Sequence, residues 1–142
     1  MRTQCTRPKQ NAPFSKDLFF LGRYGFKEFY LSHTLVTQTE AAARCKLSDM
    51  NLAVFLTQKS LDFVGNLTDM DLCWTDGVLV NAATSYKWLY SEDYLSDEFA
   101  FEEGTHIGLR LLKGKGTSSL TPGGSMQSHC YICYKWLANE NP

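Results

Sequence analysis

Apolar residues recur with a helical period in the first half of this chain and with a strand-like period in the second. The first 17 residues, with Pro8, Pro13 and few apolar positions, read as an N-terminal arm, and 18–142 as one domain. Phe26 to Ser32 (FKEFYLS) is short and aromatic-rich, which predicts a strand. Next comes Thr37-Gln38-Thr39-Glu40. Here the Thr37 hydroxyl can accept from the third helical amide while the Glu40 carboxylate reaches back to the amide of the cap. Three alanines follow, so a helix is predicted through Lys46. Asn51 to Phe55 predicts a short strand. Thr57 then caps a second helix, in which Leu61, Val64 and Leu67 recur at helical spacing and predict a core-facing stripe.

From Cys73 onward the pattern shortens. Cys73 to Gly77, Tyr86 to Tyr90, His106 to Leu112 and Cys130 to Trp136 are β-prone runs separated by turn-rich or acidic stretches. Helices early and strands late define an α+β layout rather than an alternating α/β one. Lys113 to Gly124 (KGKGTSSLTPGG) carries four glycines and predicts a mobile loop within the domain, and the chain has no internal repeat.

Composition narrows the function. The 142 residues suit a single core, and 14 basic against 15 acidic residues give no electrostatic footprint for nucleic acid. No run approaches the roughly 18 apolar residues of a membrane span, and Met1 to Gln10 lacks the apolar stretch of a secretory signal. An extracellular protein of this sequence would carry its signal or anchor outside the segment. Aromatic residues, 13% of the chain, suit a sheet-rich core and a binding face. Five cysteines favour an oxidising compartment. The number is odd, so two bridges can be drawn with any one of the five left over, and spacing alone selects no arrangement.

The motifs that could carry chemistry are few. Cys130-Tyr131-Ile132-Cys133 has the spacing of a redox dithiol or of half a zinc site. It sits in a strand-like run rather than at a helix N-terminus, and only His106 and His129 are near enough in sequence to complete a metal set. Side chains three apart on a strand face opposite ways, which points to structural cysteines. GxSxG, P-loop, GxGxxG and HExxH patterns are all absent, so the chain reads as a non-enzyme. Asn66-Leu67-Thr68 is an N-glycosylation sequon. Ser91 to Glu103 (SEDYLSDEFAFEE) sets six carboxylates among Tyr94, Phe99 and Phe101. Such a stretch reads as a solvated acidic loop, as a source of hard oxygen ligands for calcium, or as a recognition loop with aromatic anchors.

Taken in order, these pieces resemble a C-type lectin-like domain from about Phe26 to Lys135. Glu40-Ala41 with Cys45, then Leu52-Ala53 and Phe63, look like that family's first helix, its LA strand start and its second helix. Trp74-Thr75-Asp76-Gly77 looks like the WIGL segment, Tyr86-Lys87-Trp88 like WxW, and Tyr131-Ile132-Cys133-Tyr134-Lys135 like the terminal FICEK strand. The resemblance implies paired N- and C-terminal strands, two helices flanking short antiparallel sheets, and a long irregular loop region that carries ligand contacts. It also implies a bridge between Cys45 and Cys133, closing roughly 90 residues and contributing about 4 to 5 kcal/mol on a chain-entropy account.

The departures bear on function. Calcium-binding members carry an EPN or QPD tripeptide and a WND segment. The corresponding stretches here read Phe101-Glu102-Glu103-Gly104, and Leu109 to Gly124 with no Trp, Asn or Asp. The positions of the family's second bridge fall near Ile107 and Ser125, so Cys73 and Cys130 stand as a substitute pair. Cys5 is then left free, paired outside the segment, or linking two chains as a dimer. The resulting expectation is an extracellular, non-enzymatic module that binds a protein or glycan without the usual calcium site. Its ligand-binding residues would be Tyr94, Asp97, Glu98, Phe99, Phe101, Glu102 and Glu103. One alternative is a calcium-dependent lectin with a non-standard site from Glu102, Glu103 and Asp97 or Glu98. The other is a small thiol redox protein using Cys130 and Cys133. No cofactor is expected, and calcium is the one candidate.

Overall fold

The computed structural model describes residues 17–80, 85–88, 108–124 and 126–137, and its last strand is the axis of the fold. The elements run β1 (Leu18–Tyr24), β2 (Lys27–Val36), α1 (Gln38–Leu47), β3 (Asn51–Leu52), α2 (Gln58–Leu67), β4 (Leu72–Val80), β5 (Ser85–Trp88), β6 (Gly108–Leu112), β7 (Ser119–Gly123) and β8 (His129–Trp136). The strands join in one eight-stranded sheet ordered β1-β2-β8-β4-β6-β7, with β3 on β8 and β5 on β4. Every pairing is antiparallel except β4 with β8, which matches Cys73 to Cys130 and Trp74 to Tyr131. The expected short antiparallel sheets are thus a single mixed sheet.

Alternation along β8 builds two cores. Cys130, Ile132 and Tyr134 face one way, onto Phe29, Leu31, Phe55, Leu61, Val64, Leu109, Leu111 and Leu120. Tyr131 and Cys133 face the other, onto Val36, Ala41, Cys45, Leu52 and Trp74. Period two on the strand therefore assigns α2 to one face and α1 to the other. Each core holds its own disulfide: Cys73–Cys130 in the first and Cys45–Cys133 in the second, spanning 57 and 88 residues. Cys45–Cys133 is the bridge the resemblance implies and Cys73–Cys130 the expected substitute, and together they occupy both cysteines of the C-x-x-C motif.

Local details correct several expectations. β1 falls in a stretch that the aromatic pattern did not mark, because Phe19 and Phe20 are exposed while Leu21 and Tyr24 pack on the core, a broken alternation. A two-residue turn with Gly25 at φ 63° joins it to β2, so Phe26 lies in the turn rather than in the strand. Thr37 caps α1 by accepting from the Glu40 amide at 3.3 Å, but only half of the box forms. The Glu40 carboxylate accepts from Arg44 Nε at 3.1 Å instead. The box at α2 is reciprocal between Thr57 and Ser60. Leu61 and Val64 are buried as predicted, whereas Leu67, at the last turn, is exposed. The strand expected over Asn51 to Phe55 shrinks to two residues, after which the Ala53 amide still donates to the Ile132 carbonyl at 2.8 Å.

The glycine-rich stretch from Lys113 to Gly124 is not a mobile loop, since it contains β7 and is fastened to α2. Gln58 Nε2 donates to the Ser118 carbonyl and the Ser118 amide to Asp62 Oδ1, both at 2.7 Å. Lys113 Nζ donates to the Gly65 carbonyl, also at 2.7 Å. These contacts draw Ser118 so close that a Cβ on Gly65 would lie 1.9 Å from its hydroxyl oxygen. Glycine to alanine in a helix usually stabilises by about 1 kcal/mol. Here Gly65→Ala is expected to destabilise by about 1 to 3 kcal/mol through overpacking. Adding Ser118→Gly should recover most of that loss in urea denaturation.

Candidate functional site

The sequence places the candidate ligand contacts between β5 and β6, and β4 carries both feet of that segment. Trp88, the last residue of β5, pairs with Gly77, and Gly108, the first of β6, pairs with the adjoining Val78. The pairing of β4 with β6 is irregular between Trp74 and Val78, which takes carbonyls in that interval out of the regular ladder. A side chain from α1 fills this gap. Gln38, at the first turn of α1, donates through Nε2 to the Thr75 carbonyl at 2.7 Å and to the Gly77 carbonyl at 3.0 Å. Thr75 Oγ1 donates to the Leu109 carbonyl at 2.9 Å, and Trp74 Nε1 to the Val36 carbonyl at 3.0 Å. All four groups are in the interior, where an unpaired carbonyl is costly. A Cβ on Gly108 would lie 2.7 Å from the Trp74 ring and 2.8 Å from Gln38 Oε1, so this foot fits only without a side chain. Gln38, Thr39, Ala42, Leu52 and Asp76 line a small hollow of about 130 Å³ beside it.

A second polar cluster lies on the β6–β7 hairpin. Arg110 pairs across the hairpin with Thr121. Its guanidinium donates to the Pro122 carbonyl through Nη2, and to Gln127 Oε1 and His129 Nε2 through Nη1 at 3.2 and 3.1 Å. Burial and then the Arg110 charge push the His129 pKa below the usual imidazole value, so a neutral ring accepts that bond. The His129 ring also meets Trp74 edge-on at 5.2 Å. His33, on β2, bonds Asp69 at 2.9 Å, and that bond holds the Asp69 carboxyl below its ordinary value.

The expected contact residues Tyr94, Asp97, Glu98, Phe99, Phe101, Glu102 and Glu103 lie outside the described residues, as do Cys5 and His106. Asn66 is exposed near the end of α2. The sequon threonine, Thr68, is buried and accepts from the Met70 amide at 3.1 Å. Among the described residues no helix is long and apolar enough to cross a membrane, and no group of three or more His, Cys, Asp or Glu is arranged to hold a metal. Gln38 and Arg110 were not singled out by sequence reasoning. Gln38 was legible only as a helix-start residue, and Arg110 as an isolated cation in a β-prone run.

The Cys45–Cys133 bridge from the first helix to the last strand, helices on opposite faces of a mixed sheet and a C-terminal strand paired with β2 make up the C-type lectin-like fold, with Cys73–Cys130 in place of the family's second bridge. Solved structures bear this out. The C-type lectin domain of murine dendritic cell inhibitory receptor 2, in complex with N-glycan, matches with a TM-score of 0.72 at 11% identity, over 85% of this chain and 97% of its own. The natural killer cell receptor Ly49C matches at 0.70 and 14% identity, over 88% and 96%. A calcium-independent type II antifreeze protein matches at 0.66 and 16% identity, over 81% and 90%. No family profile and no curated protein matches the chain in sequence.

Proposed function

We propose that this chain is an extracellular, non-enzymatic recognition module that binds a protein or glycan through the 89–107 segment, without calcium at the family's usual site. The observation that carries the reading is Arg110. The hairpin on which the family's WND carboxylate and amide would fall supplies a fixed guanidinium instead, held by Pro122, Gln127 and His129. A guanidinium there stands where calcium needs oxygen ligands, and Leu109 to Gly124 offers no Asp or Asn side chain to supply them. Similarity to a glycan-complexed lectin domain, a receptor and a calcium-independent antifreeze protein supports a binding role on this fold that does not require the ion.

Within the segment, Tyr94, Phe99 and Phe101 supply desolvated contact area, while Asp97, Glu98, Glu102 and Glu103 select a basic partner surface. Asn66 is the proposed glycan acceptor, and Cys5 the proposed link to a second chain. Two measurements test the reading. Millimolar calcium followed by EDTA should leave the melting temperature unchanged, whereas a reversible rise with calcium would establish the acidic-site lectin instead. On glycan and receptor-ectodomain arrays run with EDTA, replacing Tyr94, Phe99 and Phe101 together by Ala should lower binding to a captured partner about tenfold or more. Unchanged binding would remove the segment from the site.

A further inference from the structure

A groove formed where the β1–β2 turn meets the end of β8 has the make-up of a second, small-molecule site. Its volume is about 170 Å³. Phe29, Val54 and Ser60 are its buried residues, and Phe26, Leu56 and Trp136, 52%, 54% and 39% exposed, line it as well. None of its described lining residues belongs to β4, β5, β6 or β7, the strands around the loop-bearing site. Three exposed apolar residues converge here, and the described lining contains no carboxylate. Among the described residues that line it, Lys27 alone is charged.

The setting of Lys27 decides what the groove would accept. Its ammonium lies 4.6 Å from the centre of the Tyr134 ring and 5.2 Å from that of Trp136, and donates to the Val54 carbonyl at 3.2 Å. No described acid pairs with it. Burial pushes its pKa down to about 8, as expected for a positive charge held in apolar surroundings. An anionic group brought to Nζ would pair with this charge while the remainder of the ligand covers the exposed rings. Size limits the remainder: a dry cavity of about 150 Å³ holds one benzene.

We infer that this groove binds a small aromatic monocarboxylate, its ring set among Phe26, Leu56 and Trp136 and its carboxylate on Lys27 Nζ. Phenylacetate is the probe, with 2-phenylethanol as its uncharged counterpart of similar shape. In 1H–15N spectra of the intact protein, phenylacetate should shift the Trp136 indole N–H saturably while that of the buried Trp74 stays in place. The alcohol should bind about tenfold more weakly. Lys27→Met, which keeps an apolar stem against the rings, should remove the difference between the two probes, and Lys27→Arg should restore it. On the unmodified protein, raising the pH from about 7 to about 10 should weaken phenylacetate binding and leave the alcohol unaffected, because the amine loses its charge. No saturation below about 20 mM phenylacetate, equal affinity for both probes, or a flat pH profile would each overturn the assignment.

Discussion

Chain lacking both disulfides, with all four cysteines replaced by Ala, is expected not to fold at physiological temperature. Cys45–Cys133 encloses Cys73–Cys130, so the two bridges are nested. With either bridge intact, the other closes a ring of only roughly 30 residues, because the chain path runs through the bridge that remains. Removing one alone should therefore cost about 4 kcal/mol, whichever is chosen, and removing both about 8 kcal/mol. Small domains have about 5 to 15 kcal/mol in total. Denaturant titration of Cys45→Ala/Cys133→Ala and of Cys73→Ala/Cys130→Ala checks this through their equality. A large difference between the two would mean that packing in one core, rather than the shared ring, sets the cost.

Gln38→Leu is the second large effect. Leucine is close to glutamine in size, so the hollow beside α1 stays filled, but the carbonyls of Thr75 and Gly77 lose their donor inside the protein. Leaving them unpaired should cost about 2 to 4 kcal/mol. Thr39→Ala, one residue along and exposed, serves as the control and should change little. A second readout separates the clamp from generic packing. Because Gly77 and Val78 carry both feet of the 89–107 segment, hydrogen exchange at the Gly77 and Gly108 amides should quicken in Gln38→Leu well before that of β2 or β8. Uniform acceleration across the sheet would show that Gln38 acts only on global stability.

These two cases mark where local pattern suffices and where it does not. The helices were legible from the caps Thr37 and Thr57, followed by three alanines in one case and by an apolar stripe at helical spacing in the other, because capping is a contact within one turn. The bridges were legible through the family resemblance, and the opposite facings of Cys130 and Cys133 through strand alternation alone. β1 and β7 were not. Phe19 and Phe20 break the alternation of an edge strand, and β7 combines Ser, Pro and Gly because it lies at the sheet margin on a framework that β6 and α2 supply. Tertiary contact overrode a loop-like composition there. Gln38 and Lys27 were hidden for a related reason. The carbonyls that Gln38 serves lie 37 and 39 residues away, and the Val54 carbonyl that Lys27 reaches lies 27 away.

The alternation of β8 also bears on how the chain acquires its bridges. In the reduced, unfolded chain Cys130 and Cys133 are each other's nearest thiols, and the entropy of closing so short a loop is far smaller than that of closing 57 or 88 residues. The easiest disulfide to make is therefore a wrong one, and correcting it requires exchange that takes seconds to hours without a catalyst. Once β8 extends against β2, the two sulfurs point to opposite sides of the sheet and can no longer meet. Pairing of the first long strand with the last thus keeps the most local thiol pair apart, so that the exclusion of the nearest disulfide rests on one of the least local contacts.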